Sequence, residues 1–439
     1  MQGECSHGKT KPEERGGGDL ACRPVLLVAS YGGRRQIDVP ETGVLVIGRA
    51  PGGEGGATAA EAAGLIGDEL LSRQHLRIAR QAGGYVVEDL GSRNGTYLDG
   101  RRVSSPARLA EGSALLFGNQ IALFRRISEA ARVALAREAE APFGPLPTFS
   151  PALALAFARL RKLAPTDAEL LLVGEAGVGR EVYARAVHQA SGRRGPFVAL
   201  KCGSVPPSLI ESELFGGDAS QGRSSVTQRG LVGAAEGGTL LLDEIEVLPV
   251  DLQTKIFRQL RHIRLIAATT RIDATRGAAG MREDLLARLG ADPVEIPPLR
   301  ARPEDVPALL EHFAAGAVEK VEPAALRALC LYSWPLNVRE LRKVTGTALT
   351  LAGGRELRLD HLPAGIQAAL ERGPLVAVRR RSPRAAPERA ELEQLLRDHD
   401  GNVADVARAM DRQWNVVWRW VVRLGLSPQK FRKDGGDGG

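Results

Sequence analysis

The sequence GEAGVGRE, at Gly174–Glu181, follows the apolar run LLLV and precedes a stretch with helical periodicity. Glycines in such a turn let backbone amides face phosphate groups at the start of a helix, where the helix dipole favours anions. A second apolar run, TLLLDEI, places Asp243 to organise Mg²⁺ and Glu244 to polarise a water molecule. Together the two segments predict a P-loop site for ATP. Its candidate binding residues are Gly174, Glu175, Ala176, Gly177, Val178, Gly179, Arg180 and Glu181.

Apolar runs typical of buried strands dominate the middle of the chain and include LLLVG, FVALKC, TLLLDEI and RLIAATT. Helical periods separate them, a pattern that predicts a parallel sheet covered by helices. From about Glu304 to Gln367 the pattern is helical throughout. The sequence therefore predicts an α/β P-loop domain followed by a helical lid.

Length and composition set broad limits on the protein. A chain of 439 residues suggests about three domains of roughly 150 residues each. The net charge of +7 and the pI near 9.4 are compatible with an anionic partner such as DNA or a phosphopeptide. The four cysteines are widely spaced and no histidine cluster accompanies them, so neither a zinc site nor a disulfide scaffold is indicated. With no long apolar run and no apolar signal core at the start, we expect a cytoplasmic protein without a membrane segment.

Short apolar runs between residues 24 and 127 are broken by Gly, Asn and Asp turns, which is typical of an all-β sandwich. Three polar motifs lie in its loops: GR at Gly48–Arg49, SRQH at Ser72–His75 and GSRNGT at Gly91–Thr96. A phosphothreonine site needs concentrated donors, because phosphate carries a charge of about −1.5 to −2 and three acceptor oxygens. Arginine forks, a serine hydroxyl and loop amides can supply them. Alternatively, these motifs only close β-turns, since Asn-Gly is a strong hairpin signal.

With these motifs in this order, the first domain resembles the forkhead-associated (FHA) domain. The resemblance implies that Arg49, Ser72 and Arg73 hold the phosphate. It further implies that Asn94 grips the peptide backbone and that His75 and Gly95 shape the loops. The Gly/Ala-rich insert PGGEGGATAAEAAG departs from the family pattern, and we expect it to be a flexible loop beside the binding face.

The segments PFVALKC, LIESELFG, REDLLARL, PPLRARPEDVP and WPLNVREL carry a second resemblance. The region Ser150 to Gly365 resembles the AAA+ domain of bacterial sigma-54-dependent activators. By position, the resemblance implies that Arg282 and Arg288 complete the ATP site of a neighbouring subunit and that Arg339 senses the phosphates from the lid. It also implies a homo-oligomer. Taken alone, each arginine is more often part of a surface ion pair.

The chain departs from this family pattern in three places. Arg180 replaces the P-loop lysine, and a forked guanidinium is not equivalent to a compact ammonium. The sequence GDASQGRSSVTQRG stands where the family has the GAFTGA loop that contacts sigma-54. The hairpin before the strand RLIAATT is missing, and Thr270 takes the place of a sensing asparagine. We therefore expect ATP binding with impaired hydrolysis and do not favour direct remodelling of sigma-54 RNA polymerase; tolerated variation in a working activator is the alternative.

The C-terminal sequence GNVADVARAMDRQWNVVWRWVVRLGL predicts two short amphipathic helices. The residues of the first helix that can pack on Val417 and Val421 are Ala404, Val406, Ala407 and Met410. The segment resembles the Fis-type DNA-binding domain, a helix-turn-helix whose second helix enters the major groove. A helical hairpin that does not bind DNA is the alternative, and the tryptophans of the second helix are alternatively dimer or core contacts. The candidate DNA-binding residues are Gln413, Trp414, Asn415, Trp418 and Arg419.

The sequence thus predicts a multidomain chain: an all-β FHA sandwich, an α/β AAA+ domain with a helical lid, and an all-α helix-turn-helix. The predicted boundaries are 1–22 disordered, 23–128 FHA, 129–147 linker, 148–300 AAA+ α/β subdomain, 301–371 lid, 372–388 basic linker, 389–427 helix-turn-helix and 428–439 flexible tail. The expected function is a transcription regulator that reads a phosphothreonine-containing protein and binds DNA, with ATP and Mg²⁺ as cofactors. The alternative is a phosphopeptide-binding adaptor with a catalytically silent AAA+ domain.

Overall fold

The computed structural model describes residues 22–49, 60–64, 68–81, 83–216, 225–260, 262–270, 289, 293–370 and 389–410, and single positions at 417, 420, 421, 424, 426 and 431. The chain forms two compact units. The first contains Met1–Arg159 and Pro297–Arg380, and the second contains Leu160–Ile296 and Arg381–Gly439. The predicted disordered N-terminus, the basic linker and the flexible tail lie almost entirely outside the described residues.

The first unit begins with two sheets that pack face to face. Their strands are β1 Arg23–Ser30, β2 Gly33–Asp38, β3 Val44–Gly48, β4 Ala60–Gly64, β5 Leu76–Gln81, β6 Gly84–Asp89, β7 Thr96–Leu98, β8 Arg101–Arg102, β9 Ala107–Leu109, β10 Ala114–Phe117 and β11 Gln120–Ile127. The strand order is β2-β1-β11-β10-β7-β8 in one sheet and β4-β3-β5-β6-β9 in the other. Leu26 and Val28 of β1 share a buried cluster with Leu45 and Ile78 of the opposite sheet. The predicted sandwich is confirmed.

Part of the Gly/Ala-rich insert differs from the flexible loop expected for it. Its residues Ala60–Gly64 form β4, which pairs in parallel with β3 so that Val44 lies opposite Ala60. Sheet pairing uses backbone amides and carbonyls, so a run of small side chains does not prevent it. The expectation of a loop was therefore wrong for these residues, and the rest of the insert lies outside the described ranges.

A helix follows the sandwich in the segment that the sequence marks as a linker. It spans Glu129–Glu140, and the Ser128 side chain caps it by accepting a hydrogen bond from the Ala131 amide at 3.2 Å. Ala131, Ala134 and Leu135 are buried along one face. This helical spacing gives the segment an apolar stripe, which explains why it packs rather than remaining a free tether.

The outer face of the first sheet is also buried. Val25, Leu27 and Ala29 alternate with the inward residues of β1 and belong to a second cluster, which includes Leu309 and Leu329 of the helical region. Tyr31 donates a hydrogen bond to the Val318 carbonyl at 3.0 Å. The guanidinium of Arg327 lies 4.7 Å from the centre of the Tyr97 ring. The sandwich and the helical region therefore share one hydrophobic core.

The helical region contains one departure from the predicted pattern. Its helices are Val306–Ala314, Pro323–Leu331, Asn337–Ala352 and Ala364–Gln367. Between them Lys320–Val321 (β17) pairs in parallel with Glu356–Leu357 (β18). The prediction of helix throughout was wrong at these positions, because strands of two residues are too short to produce a readable alternation.

The second unit is built on a five-stranded parallel sheet. Its strands are β12 Leu170–Val173, β13 Phe197–Lys201, β14 Thr239–Asp243, β15 Arg264–Thr269 and β16 Val294–Glu295, in the order β13-β14-β15-β12-β16. The helices Arg180–Ala190, Pro207–Phe215, Ser225–Ala234 and Val250–Gln259 accompany them. The helix Pro151–Leu163 contains the chain boundary between the two units, after Arg159. The predicted parallel α/β arrangement is confirmed. The last of these helices ends at Gln259 and β15 begins at Arg264, which leaves no room for an intervening hairpin.

The C-terminal segment contains the helices Arg389–Asp398 and Val403–Ala409. Val406, Ala407, Val417 and Val421 lie in one buried cluster, and Met410 packs against it. The predicted packing is confirmed for these five residues. The side chain of Ala404 and the expected turn near residue 411 lie outside what the structure describes.

The cysteines include one that is disulfide-bonded, whereas the sequence indicates no disulfide scaffold. Cys202 and Cys330 are free and buried, and burial, with a smaller effect of nearby Asp243, raises the pKa of Cys202 to about 12. Cys22 is disulfide-bonded. Wide spacing does not reveal such a bond, because the pairing depends on folded proximity. Among the described residues, no helix is long and apolar enough to span a membrane.

Candidate functional sites

Two loops of the sandwich are tied together at the candidate phosphothreonine site. The Arg49 amide donates to the Ser72 carbonyl at 3.0 Å, and the His75 amide donates to the Ile47 carbonyl at 2.8 Å. Gly48 lies at the closest approach, since a Cβ added there would be 2.1 Å from the Arg73 carbonyl oxygen. A glycine is needed at this position because any side chain would push the two loops apart.

His75 connects the site to a third loop. It is fully buried, its Nδ1 accepts from the Ser72 amide at 3.2 Å, and its Nε2 lies 3.3 Å from the Gly95 carbonyl. These partners define a neutral ring that carries its proton on Nε2. Burial lowers the pKa of His75, against smaller opposing effects of the Gly95 carbonyl and Asp89. The histidine therefore positions the Ser72 and Gly95 loops, the role that the FHA resemblance implies for it.

Asp89 organises the GSRNGT loop from within. It accepts hydrogen bonds from the Ser92 amide at 2.8 Å, the Ser92 hydroxyl at 2.6 Å and the Thr96 hydroxyl at 2.7 Å. Burial raises the pKa of Asp89, but the bonds from Ser92 and Thr96 outweigh it and leave the pKa below its usual range. Asp89 was not among the residues singled out from the sequence, although an aspartate ending a strand just before a turn motif is a usable signal.

The four predicted phosphothreonine residues lie on these joined loops. Arg49 and Arg73 are exposed, and neither forms an ion pair within the part of the chain that the structure describes. The Ser72 hydroxyl oxygen accepts from the Arg93 amide at 3.1 Å. Asn94 is exposed and its side-chain amide donates to the Leu70 carbonyl at 2.7 Å. The joined loops therefore present two guanidinium groups without an ion-pair partner among the described residues, together with a serine hydroxyl whose proton can donate.

The P-loop segment connects β12 to the helix Arg180–Ala190. Gly177 and Gly179 adopt positive φ values of 81° and 108°, a conformation that favours glycine. The Gly174 amide donates to the Thr269 carbonyl at 3.1 Å, which anchors the start of the turn to β15. The GEAGVGRE sequence therefore forms a turn between a buried strand and a helix, and its phosphate-binding role stays a prediction.

Arg180 points back into the protein from the first position of its helix. Its side chain is only 5% exposed, and it forms an ion pair with Asp243, with Nη2 and Oδ1 2.9 Å apart. Its Nη1 also donates to the Gly174 carbonyl at 2.7 Å. Burial raises the pKa of Asp243, and the Arg180 charge opposes that rise. Arg180, which stands where the family has a lysine, therefore pairs with the carboxylate that was expected to organise Mg²⁺.

A second basic residue holds the neighbouring carboxylate. Lys201, at the end of β13, places its Nζ 3.2 Å from Oε1 of Glu244. Glu244 has a positive φ of 57°, and a Cβ added at Gly203 would lie 2.2 Å from its Oε2. Lys201 lies opposite Asp243 in the parallel register. Lys201 was not predicted from the sequence, although a lysine ending a buried strand of this sheet must lie at the same edge as Asp243.

Mg²⁺ does not fit the residues present at this edge of the sheet. Mg²⁺ is bound by oxygen ligands, usually one or two carboxylates with several waters. Here Asp243 and Glu244 are each paired with a cation, so neither carboxylate is left as a ligand for Mg²⁺. Thr270, at the sensing position, donates instead to Glu246 at 3.2 Å.

Comparisons with known proteins agree with the two domain types. Residues 45–118 match the FHA domain, residues 147–295 match the sigma-54 interaction domain, and residues 300–376 match the AAA+ ATPase lid domain. The C4-dicarboxylate transport transcriptional regulatory protein DctD of Rhizobium meliloti is 35% identical over 370 residues, which cover 77% of this chain and 74% of DctD. The chain belongs to the sigma-54-dependent transcriptional activator family.

Other members of this family show the same relationship. The transcriptional regulatory protein GlrR of Escherichia coli is 34% identical over 65% of this chain and 69% of GlrR. The DNA-binding transcriptional activator HyfR of Escherichia coli is 42% identical over 46% of this chain but only 33% of HyfR. The chain therefore spans about a third of that relative.

The remaining candidate residues of this sigma-54-family chain are less fully described. Arg339 is exposed near the start of the helix Asn337–Ala352. Arg282 and Arg288 lie outside the described residues, as does the segment 217–224, which begins the replacement for the GAFTGA loop. The same is true of the candidate DNA-binding residues Gln413, Trp414, Asn415, Trp418 and Arg419. Their roles remain predictions.

Proposed function

We propose that this sigma-54-family regulator is controlled by a phosphothreonine-containing protein that docks on its FHA domain. The observation that carries the proposal is the pair of exposed guanidinium groups of Arg49 and Arg73, which have no ion-pair partner among the described residues and lie on loops fixed by His75. Planar guanidinium forks match the oxygens of a phosphate, and charge-assisted bonds of this type are about twice as strong as neutral ones.

Docking can proceed without a large rearrangement of the loops. The Ser72 oxygen already accepts from the Arg93 amide, so its hydroxyl proton can donate to a phosphate oxygen. The Asn94 side chain can exchange its bond with the Leu70 carbonyl for a bond to the peptide backbone. The phosphate replaces solvent around two cations that have no carboxylate partner among the described residues.

In the same proposal, the AAA+ domain binds ATP through the P-loop amides and hydrolyses it poorly. The backbone turn and the helix that begins at Arg180 support binding. The ion pairs Arg180–Asp243 and Lys201–Glu244 support impaired hydrolysis, because the carboxylate expected to polarise water is held by a cation. The domain then serves chiefly to assemble a homo-oligomer when nucleotide is bound. Arg282 and Arg288 of one subunit complete the ATP site of the neighbouring subunit.

We further propose that the C-terminal segment binds DNA as a Fis-type helix-turn-helix. The buried cluster around Val406 and Val417 supports two packed short helices, and the net charge of +7 suits an anionic partner. Sigma-54 RNA polymerase is a partner by family, but remodelling through a GAFTGA loop is not part of the proposal. The competing function, a phosphopeptide-binding adaptor with a silent AAA+ domain, is favoured by the same Arg180–Asp243 pair.

Peptide capture tests the central claim. Full-length protein is immobilised and exposed to a degenerate phosphothreonine peptide library and to the same library without phosphate. We expect retention of the phosphorylated library only, with a loss of about tenfold or more in affinity for Arg49→Ala or Arg73→Ala. Arg77→Ala is the matched control, because Arg77 is exposed on β5 but pairs with Glu88 at 2.7 Å. Equal retention of both libraries would refute the proposal.

A DNA titration separates the regulator from the adaptor. Full-length protein and Arg419→Ala are tested against promoter-length duplex DNA over a series of salt concentrations. A regulator shows affinity that falls steeply with salt and is weaker in the variant. A protein that binds no DNA at any salt concentration is the adaptor.

A further inference from the structure

The Arg180 guanidinium bridges two strands that are not neighbours in the sheet. Gly174 follows β12 and Asp243 ends β14, and β15 lies between these strands. Arg180 contacts both at once, at 2.7 Å and 2.9 Å, and is nearly buried. A lysine has one charged nitrogen on a flexible stem, whereas the planar fork of arginine can hold two acceptors in a defined geometry. The position of the guanidinium is therefore set by the fold.

The two carboxylates at this edge of the sheet are already balanced by basic side chains, so neither needs a divalent cation. Arg180 balances Asp243, and Lys201 balances Glu244. A metal ion that took Asp243 as a ligand would displace Arg180 and leave its buried charge without a partner. Removing one member of a buried ion pair is strongly destabilising, because the remaining charge stays desolvated. Binding of a metal ion to Asp243, which a metal-dependent nucleotide site requires, is therefore unfavourable in this protein.

The same guanidinium retains capacity for a ligand. Arginine carries five N–H donors in a planar fork. The described bonds to Gly174 and Asp243 use two of them. Arg180 also begins the helix that follows the P-loop turn, the place where backbone amides face an anion. The remaining N–H donors of Arg180 are therefore available to phosphate oxygens of a nucleotide held by the P-loop amides.

We propose that this site binds nucleoside diphosphates and triphosphates in their metal-free form, with the Arg180 guanidinium as a built-in cation in place of Mg²⁺. The inference rests on the proposed nucleotide binding and specifies the form of the ligand. Arg180 here binds phosphate and holds Asp243; no chemical step is assigned to it.

Calorimetric titration of the full-length protein with ADP and with ATP tests the inference. Each nucleotide is titrated once in Mg²⁺ and once in EDTA. For the wild type we expect dissociation constants that differ by less than about threefold between the two conditions. For Arg180→Lys, which removes the fork but keeps a charge, we expect binding in EDTA to be at least about tenfold weaker than in Mg²⁺.

The control and the outcomes separate this inference from the proposed function. Arg132→Lys makes the same exchange at an exposed ion pair with Glu129 and is expected to behave as the wild type. Wild-type binding that weakens about tenfold or more in EDTA would overturn the inference and leave nucleotide binding intact. Absence of wild-type binding in both conditions would overturn both. Because the wild type alone distinguishes these outcomes, the test remains decisive even if Arg180→Lys fails to fold.

Discussion

Arg125, on the last strand of the sandwich, forms an ion pair with Glu304 of the helical region, with Nη2 and Oε1 3.3 Å apart. The Glu304 side chain is completely buried. Arg125 also donates to the Ala301 carbonyl at 3.1 Å. Burial raises the pKa of Glu304, and the Arg125 charge acts against that rise. The FHA sandwich is therefore bound to the AAA+ lid by a buried charge pair as well as by their shared apolar core.

Arg125→Met should destabilise the first unit by about 3 kcal/mol, because it leaves the Glu304 carboxylate buried without its cation. Urea unfolding monitored by circular dichroism gives the measurement. The double variant Arg125→Met/Glu304→Leu should recover most of the loss, since the Glu304 charge is then removed together with its cation. Arg77→Met serves as the control and should cost at most about 1 kcal/mol, because its pair with Glu88 is exposed. Equal losses for Arg125→Met and Arg77→Met would contradict a special role for the buried pair.

Gly48→Ala should abolish phosphothreonine-peptide binding and lower stability by about 1–3 kcal/mol. The added Cβ meets the Arg73 carbonyl, which belongs to the backbone and cannot move aside without shifting the Ser72 loop. Gly346→Ala is the matched control. It lies inside the helix Asn337–Ala352 with no atom within 4 Å of the added Cβ, so it should be neutral or slightly stabilising. Peptide affinity and thermal melting measure the two effects, and a Gly48→Ala protein that binds normally would disprove the need for close approach.

Acid should loosen the proposed phosphothreonine site through His75. The folded pKa of His75 is depressed, so the folded state binds fewer protons than the unfolded chain. The stability from the neutral ring is therefore complete above about pH 6.5 and is lost as the pH falls through the folded pKa. The NMR titration of the His75 ring, assigned by its absence in His75→Gln, should give a pKa below the ordinary value. Melting temperature should fall less between about pH 7.5 and 5.5 in His75→Gln than in the wild type. A ring that titrates at or above about 6.5 would rule this out.

ATP hydrolysis should require the release of both carboxylates. Arg180→Lys and Lys201→Met are each expected to remain slow, and the double variant should be at least about tenfold faster than either. The reason is that one cation holds Asp243 and the other holds Glu244. Phosphate release by the full-length proteins in Mg²⁺ measures the rates. Lys255→Met removes an exposed pair with Glu211 and should change nothing. Full ATPase activity in Arg180→Lys alone would show that the ion pair of Lys201 with Glu244 does not slow hydrolysis.

The sequence predicted the sheets well because their apolar runs are long and regular. LLLV, FVALK, TLLLD and RLIAAT became the parallel strands, and the broken runs before residue 128 became the sandwich. The run VLLVA in β1 also contained a signal that was not used. Five consecutive apolar residues in an otherwise alternating sandwich indicate a strand buried on both faces, and Val25 to Ala29 are all buried.

The arrangement of the nucleotide site was less predictable. The replacement of lysine by Arg180 is visible in the sequence, but the direction of its side chain is not. Its pairing with Asp243 depends on the distance between the ends of β12 and β14, which only the folded sheet determines. Lys201 was missed for the same reason, because the register that brings it beside Asp243 joins residues far apart in the chain.

The shared core of sandwich and helical region has a consequence for how this protein is made. During translation, the outer face of β1 emerges long before its partners between Val306 and Ala352. At about 5–20 residues per second, the delay is roughly 15 to 65 seconds. Through that interval the ribosome-bound chain carries Val25, Leu27 and Ala29 uncovered. Nascent chains of this protein should therefore engage chaperones while the FHA sandwich is already folded.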